Sequence, residues 1–181
     1  MLDTNNGLNK TYENQAIYTK EMEKFYNEIF HIVLNDKNLS LVIKTKKKSY
    51  FKKLTGIQDN LKKCIKNGKC YLDDYNGSLS SNYQNIIDFV ITAEMDLSSA
   101  FFEIVCFGKR GVIFDYANFK KTDPEVKEYF EKKLLFSNLD EMISELKKNI
   151  YNLKFGNWNY IKDNIDPFCD YGGGNRIEEY I

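Results

Sequence analysis

Five short apolar runs, separated by helix-like segments, are the feature that most constrains the fold of this chain. Each run is almost continuously apolar and does not alternate with polar residues, which is typical of strands buried on both faces. The predicted strands are Leu39–Lys44, Lys69–Leu72, Asp88–Thr92, Gly111–Tyr116 and Lys133–Phe136. Strands of this kind predict a parallel sheet with a helix in each crossover.

The segments between these runs carry the spacing of helices. Apolar residues recur at three- and four-residue steps from Thr19 to Asn35, and again from Asn138 to about Tyr151. Shorter helices are predicted at Ile57–Lys66, Asn82–Ile87, Ser98–Phe107 and from Asp123 onward. The fold class expected from this alternation is α/β, a Rossmann-like doubly wound parallel sheet of about five strands with helices on both faces.

Glycine and asparagine mark several predicted helix ends. Asn67-Gly68 and Gly108 are expected to stop two of the helices, and Asn138 is expected to cap the last one. At 181 residues the chain fits one domain. Residues 1–16 are polar and lack periodicity, so they are interpreted as a flexible leader ahead of a Rossmann-like domain over residues 17–181.

Charge and cysteine content limit the partners. The 26 basic and 26 acidic side chains cancel, so no nucleic-acid partner is expected. Four cysteines without CxxC spacing and a single histidine give no metal-ligand pattern, so no metal is expected. Neither a signal peptide nor an apolar run of the ~20 residues that cross a bilayer is found. The expected location is the cytoplasm, with reduced cysteines.

Polar residues follow the clearest predicted strand, "DFVIT", in the loop "AEMDLSS". Ligands of doubly wound sheets bind beyond the carboxyl ends of the strands. Asp96 or Ser98 would cap the following helix, and its free N–H groups suit a phosphate or diphosphate. Spacing alone leaves a simple cap and a phosphate site equally supported. Glu103 on that helix is either a ligand for a ribose or sugar diol or a surface residue pairing with Lys109.

The same residues carry a family resemblance. The segment "DFVITAEMDLSSAFFEIVCFGKRGVIFDYANF" resembles the donor-binding segment in the C-terminal domain of GT-B-type glycosyltransferases. It is most similar to bacterial surface-carbohydrate and capsule biosynthesis proteins related to CDP-glycerol glycerophosphotransferases. The positions that match the family pattern are Asp88, Thr92, Ser98, Ser99, Glu103, Gly108, Lys109 and Asp115.

The tail "DPFCDYGGGNRIEEYI" resembles the ending of the same proteins, and "LSLVIKTKKK" resembles an earlier strand of theirs that ends in a lysine. The matching tail positions are Asp166, Pro167, Phe168, Asp170, Arg176, Ile177, Tyr180 and Ile181. "YGGGN" departs from the family's usual turn, which leaves the conformation of that loop open. Together the motifs span about half of the chain.

The resemblance implies roles for individual residues. Ser98 and Ser99, with Asp96, would bind the donor diphosphate, and Glu103 would bind ribose or sugar hydroxyls. Lys44 and Lys109 are candidate phosphate contacts, although a solvated lysine run at a strand end is the favoured explanation for Lys44 and Lys46. No catalytic residue is assigned, and the nucleotide-activated donor is a substrate, so no cofactor is expected.

The resemblance covers only the donor half of a GT-B enzyme. It implies a domain that binds a nucleotide-sugar or CDP-polyol donor and that needs a separate acceptor-binding domain or subunit for transfer. Peripheral membrane association is implied for the complete enzyme. The alternative is a degenerate, non-catalytic glycosyltransferase-like module for interaction or regulation. Absence of binding by any nucleotide would exclude the first reading, and a co-purifying partner that restores transfer would support it.

Overall fold

The described residues fold around one sheet of six parallel strands. The computed structural model of the protein describes residues 2–3, 12–45, 51–73, 79–93, 99–116 and 126–159. The strands are β1 Leu2–Asp3, β2 Leu41–Lys44, β3 Cys70–Asp73, β4 Phe89–Ala93, β5 Arg110–Phe114 and β6 Leu135–Phe136. They lie in the order β3-β2-β1-β4-β5-β6, and every neighbouring pair is parallel. The order reverses between β1 and β4, as in Rossmann-type domains, so the predicted fold class is confirmed.

Helices cover both faces of this sheet. The α-helices of the described ranges are α1 Tyr12–Asn35, α2 Gln58–Lys66, α3 Ser99–Cys106, α4 Lys127–Glu131 and α5 Leu139–Asn149. Short 3₁₀ turns at Thr55–Ile57 and Ser80–Tyr83 precede α2 and β4. One core lies beneath α1, α2 and α5, and a second core lies beneath α3 and α4.

Strand β5 shows why the apolar runs are continuous. Val112 and Phe114 belong to the core beneath α1, whereas Ile113 between them belongs to the core beneath α3. Successive side chains of a strand point to opposite faces, so a strand between two cores needs apolar residues at every position. The sheet is therefore buried on both sides at its centre.

Helix α1 supplies much of the first core. Its buried residues recur at helical spacing and are each at most 5% exposed: Met22, Phe25, Tyr26, Ile29, Phe30 and Val33. The ring of Phe25 stacks on Phe114 of β5 with 5.8 Å between centroids, and Tyr26 meets Phe51 edge-on at 5.1 Å. Burial of aromatic and aliphatic surface of this kind is the dominant favourable term in folding.

The amino-terminal residues differ from the expected leader. Leu2 pairs with both Lys44 and Thr92, so β1 lies at the centre of the sheet. Helix α1 already begins at Tyr12, seven residues before its predicted start at Thr19. A two-residue strand carries no periodic signal, and its position is set by pairing with β2 and β4 instead. The leader interpretation therefore does not hold for these described residues.

Glycine and asparagine residues in the sequence correctly predicted most of the helix ends. Gly68 and Gly108 follow α2 and α3 with φ angles of +66° and +79°, a conformation that glycine adopts without a steric penalty. Asn138 caps α5, and its side-chain oxygen accepts a hydrogen bond from the Glu141 N–H at 3.0 Å. The helix expected at Asn82–Ile87 is instead the 3₁₀ turn Ser80–Tyr83. The helix start expected at Asp123 lies outside the described residues.

The segment after α5 is tied to the start of β5. The Gly111 N–H donates to the Gly156 carbonyl at 2.7 Å, and Trp158 Nε1 donates to the Gly111 carbonyl at 2.8 Å. Trp158 is 1% exposed and meets Phe101 and Phe102 of α3 edge-on. A tryptophan buried in this way is part of the core, so it offers no surface for stacking on a base.

Candidate ligand-binding site at the carboxyl edge of the sheet

The parallel register gathers the strand ends at one edge of the sheet. Lys44 pairs with Asp73 at the ends of β2 and β3, and Asp3 pairs with Ala93 at the ends of β1 and β4. The point where the strand order reverses lies between β1 and β4, and this is where open α/β sheets bind ligands. The residues at the carboxyl ends of these strands, and directly after them, therefore form the candidate site.

Asp73 is a buried and hydrogen-bonded acidic residue at this edge. The residue is 4% exposed, and its carboxylate accepts a hydrogen bond from the Tyr83 hydroxyl at 2.5 Å. Tyr83 ends the 3₁₀ turn that leads from β3 towards β4. Burial of a carboxylate is unfavourable without such donors, because the charge loses its hydration. Sequence reasoning missed this pair, and the signal available was the acidic "LDD" at a strand exit.

Thr45 places a hydroxyl at the end of β2. The residue is 3% exposed, and its N–H donates to the Asp73 carbonyl at 3.3 Å. Within the described ranges its Oγ1 atom has no hydrogen-bond partner. An unmade hydrogen bond of a buried hydroxyl costs about 1–3 kcal/mol. The hydroxyl is thus a group to which a ligand oxygen at this edge could bond favourably.

On the other side of the reversal point, two further polar residues are buried. Thr92 on β4 and Asp115 directly after β5 are both 0% exposed, and the Asp115 N–H donates to the Phe136 carbonyl at 2.7 Å. Both positions belong to the motif that carries the family resemblance. The edge thus combines buried acidic and hydroxyl groups with the half-buried Lys44.

The structure places the predicted site residues in three different surroundings. Lys44 lies at the carboxyl edge, and Ser99 is the first residue of α3, which follows β4. Asp96 and Ser98 lie outside the described residues. Glu103 is exposed on α3, whose residues Phe101 and Ile104 face the core. This is the orientation expected of a surface residue, and its role in sugar binding stays a prediction.

Lys109 is not brought to this edge. It directly precedes β5 and therefore lies at the amino edge of the sheet, whereas Lys44 lies at the carboxyl edge. The five residues of β5 separate the two edges by about 17 Å. Lys109 and Lys44 thus cannot contact one phosphate group together within this sheet.

The amino edge carries a cavity of its own, with a volume of about 710 Å³. Its walls include the beginnings of β2 and β4, with apolar side chains from α1 and α5. At the rim, Arg110 Nη1 donates to the carbonyls of Ile150 and Asn152 at 3.0 and 2.8 Å. The Tyr151 hydroxyl donates to Asp36 at 2.6 Å, which lowers the pKa of the Asp36 carboxyl and raises the pKa of Tyr151. These contacts hold the segment after α5 beside the cavity.

No family model, curated protein or solved structure matches this chain. The family resemblance of the motifs therefore stays a prediction. Over the described residues, no helix is long and apolar enough to cross a membrane. In the same ranges, no three of histidine, cysteine, aspartate and glutamate converge as a potential metal site.

Proposed function

We propose that this domain binds a nucleotide-activated sugar or polyol phosphate at the carboxyl edge of its sheet. It would serve as the donor-binding part of a GT-B-type glycosyltransferase-like protein in bacterial surface polysaccharide biosynthesis. The observation that carries the proposal is the strand order, because its reversal between β1 and β4 creates the crevice that Rossmann-type domains use for nucleotides. The motifs around Ser98 and Ser99 supply the link to the glycosyltransferases.

The groups at this edge suit the chemistry of such a donor. The first turn of α3 offers N–H donors and the positive end of the helix dipole to a diphosphate, and Lys44 adds positive charge from the end of β2. The Thr45 hydroxyl and the Asp73 carboxylate can form hydrogen bonds with the hydroxyl groups of a ribose or sugar. Transfer requires that the leaving nucleotide phosphate be stabilised, and fixed donors of this type perform that role without reorganisation. The acceptor site belongs to a partner domain or subunit.

Calorimetric titration with CDP-, UDP- and CMP-linked donors tests the proposal. We expect saturable binding of one nucleotide class and at least a tenfold weaker affinity in the Ser98→Ala/Ser99→Ala double variant, which corresponds to ~1.4 kcal/mol. Ser144→Ala in α5, a half-buried serine away from the site, is the matched control and should bind normally. The proposal fails if no nucleotide binds, or if the double variant binds as tightly as the parent chain.

A second substitution tests whether Thr45 at the carboxyl edge of the sheet contributes to donor binding. Thr45→Val keeps the shape of the side chain and removes its hydroxyl, so we expect weaker donor binding with little loss of stability. Thr55→Val, at an exposed threonine, is the control and should leave affinity unchanged. Equal affinities in the two variants would remove Thr45 from the binding site.

The alternative function is a non-catalytic interaction or regulatory module. The observation that favours it is the apolar cavity at the amino edge, away from the nucleotide crevice. The two functions differ in a transfer assay. A co-purifying acceptor domain that restores transfer supports the enzyme, whereas a stable partner with neither nucleotide binding nor transfer supports the module.

A further inference from the structure

Strand β3 is an exposed edge of the sheet. β3 and β6 are the outermost of the six strands, and both residues of β6 are at most 3% exposed. β3 has four residues, and the side chain of its Tyr71 is 61% exposed. Proteins usually protect a strand edge from pairing with another chain by placing proline or charged residues along it. Cys70, Tyr71 and Leu72 supply neither kind of protection.

Two residues of β3 direct their backbone groups away from the sheet. The carbonyls of Lys69 and Asp73 accept hydrogen bonds from N–H groups at either end of β2. Alternate residues of a strand direct their N–H and C=O groups to opposite edges, so Cys70 and Leu72 face outward. Among the described residues, no hydrogen bond is found for these outer backbone groups. The outer donors and acceptors are therefore placed symmetrically about Tyr71.

An exposed apolar residue lies beside this edge on each face of the sheet. Tyr71 points away from the core beneath α1, because its two neighbours on β3 pack into that core. On the face that carries α2, Asn60 donates to Asn27 of α1 at 2.8 Å, so this flank of α2 faces α1. Ile65 is turned from Asn60 by about 140° around the helix axis, onto the β3 side of α2. It is 45% exposed, so a strand added to β3 would lie between two apolar side chains.

The charges at the two ends of the edge favour a second copy of the chain as the partner. Lys66 and Lys69 precede the central residues of β3, and Asp73 and Asp74 follow them in sequence. A copy related by a two-fold axis pairs antiparallel, which brings the basic end of each strand to the acidic end of the other. Opposite charges at both ends then support the same register.

We propose that two copies of this chain associate through antiparallel pairing of their β3 strands, with the two-fold axis at Tyr71. Cys70 of one copy then lies opposite Leu72 of the other, and each such pair exchanges two hydrogen bonds. The two Tyr71 residues form the closer pair between them, with about 4.5 Å between their Cα atoms. The proposal goes beyond donor binding and is independent of it, since the β3 edge lies to the side of the strand ends.

The test is sedimentation equilibrium of the full chain over a range of concentrations. We expect a dimer with a dissociation constant in the micromolar range, because one strand edge and two helix flanks form a small interface. Tyr71→Lys places two lysines opposite each other and should weaken association about tenfold or more, and Tyr71→Glu should do the same. An equimolar mixture of the two variants should dimerise again, since lysine then meets glutamate across the axis.

Leu153→Lys is the matched control. It changes a residue that is 77% exposed and lies after α5, and this variant should dimerise like the parent chain. Because the substituted residues are exposed, all three variants should keep the circular dichroism spectrum of the parent. In the parent dimer, we expect about tenfold slower amide hydrogen exchange at Leu72 than in the monomer.

Four results would each overturn the proposal. They are a parent chain that stays monomeric at millimolar concentration, association of Tyr71→Lys as tight as that of the parent, a mixture of the two charged variants that stays monomeric, and unchanged exchange at Leu72 in the dimer. A monomeric parent would leave the β3 edge to a strand of another protein. None of these outcomes depends on nucleotide binding.

Discussion

Trp158 shows how one side chain joins distant parts of the chain. It is the single tryptophan of the sequence, and its ring fills the core beneath α3 while its N–H reaches the backbone of β5. Trp158→Phe keeps an aromatic ring and leaves the buried Gly111 carbonyl without this donor. We expect the free energy of unfolding to fall by about 1–3 kcal/mol. Urea denaturation followed by circular dichroism measures it, with the exposed Tyr71→Phe as a control expected to change little.

The close approach of Val90 on β4 and Phe101 on α3 leaves no room for a side chain at residue 111. A Cβ atom there would lie 2.5 Å from Val90 Cγ1 and 2.7 Å from the Val90 carbonyl oxygen. The glycine in "KRGVIF" is thus required by close packing between neighbouring strands. If the Trp158→Phe variant proved as stable as the parent chain, the hydrogen bond to Gly111 would not contribute to stability.

Cys70 gives the residue-scale prediction of pH dependence. Burial, with a smaller contribution from the neighbouring Cys64 thiol, raises the pKa of Cys70 from 9.0 to about 12. In the unfolded chain the thiol ionises near pH 9, whereas in the folded chain it stays protonated up to about pH 12. The stabilisation is therefore complete below pH 9 and is lost as the pH rises from 9 towards 12.

We expect the free energy of unfolding to fall less steeply between pH 9 and 11 in Cys70→Ala than in the parent chain. Cys106→Ala, at a half-buried position, is the control and should keep the steep dependence. Urea unfolding at several pH values gives the slopes. Parallel slopes for the parent chain and Cys70→Ala would mean that this thiol is not protected from ionisation by folding.

At the scale of elements, the N-terminal cap of α5 is predicted to contribute to stability. Asn138 accepts a hydrogen bond from the N–H of Glu141 at 3.0 Å, which satisfies one of the free donors of the first turn. Asn138→Ala should lower the free energy of unfolding by about 1 kcal/mol, and Asn138→Asp should preserve it because aspartate caps equally well. Thermal unfolding of the two variants checks this. Equal losses in both would show that the cap is not the stabilising feature.

The elements that the sequence predicted are those with a local signal. Continuous apolar runs predicted β2 to β6, and Gly68, Gly108 and Asn138 predicted helix ends within a residue or so. Strand β1 was missed because two residues carry no period, and its place depends on pairing with strands that are distant in sequence. The start of α1 was missed because its first residues, "YENQAIY", mix polar and apolar side chains.

The candidate site was harder to predict for a related reason. Ser99 and Lys44 were found because polar residues at a strand exit or helix start are visible in the sequence. Thr45, Asp73 and Tyr83 come together only through the register of β2 against β3 and the turn before β4. Lys109 was grouped with Lys44 because sequence spacing does not show at which edge of the sheet a lysine lies.

At the scale of the whole molecule, the position of β1 is the point to test. Leu2→Pro removes the N–H of a residue in the centre of the sheet, where proline is poorly tolerated. We expect the free energy of unfolding to fall by about 2 kcal/mol or more, since buried partners on the neighbouring strands lose a bond. Leu2→Val, which keeps the N–H, should be close to the parent chain in urea denaturation. An unchanged stability of Leu2→Pro would restore the interpretation of residues 1–16 as a leader.

The short central strand also determines how the molecule would come apart. Backbone pairing between the two halves of the sheet runs through Leu2 and Asp3, whereas the packing of α1 joins the same halves from above. Phe25 of α1 rests on β5 in one half, and Tyr26 beside it packs on Phe51 next to α2 in the other. Cooperative unfolding of this protein thus depends on the packing of α1 against both halves of the sheet. If that helix detached, two smaller folding units would separate along the centre line of the sheet.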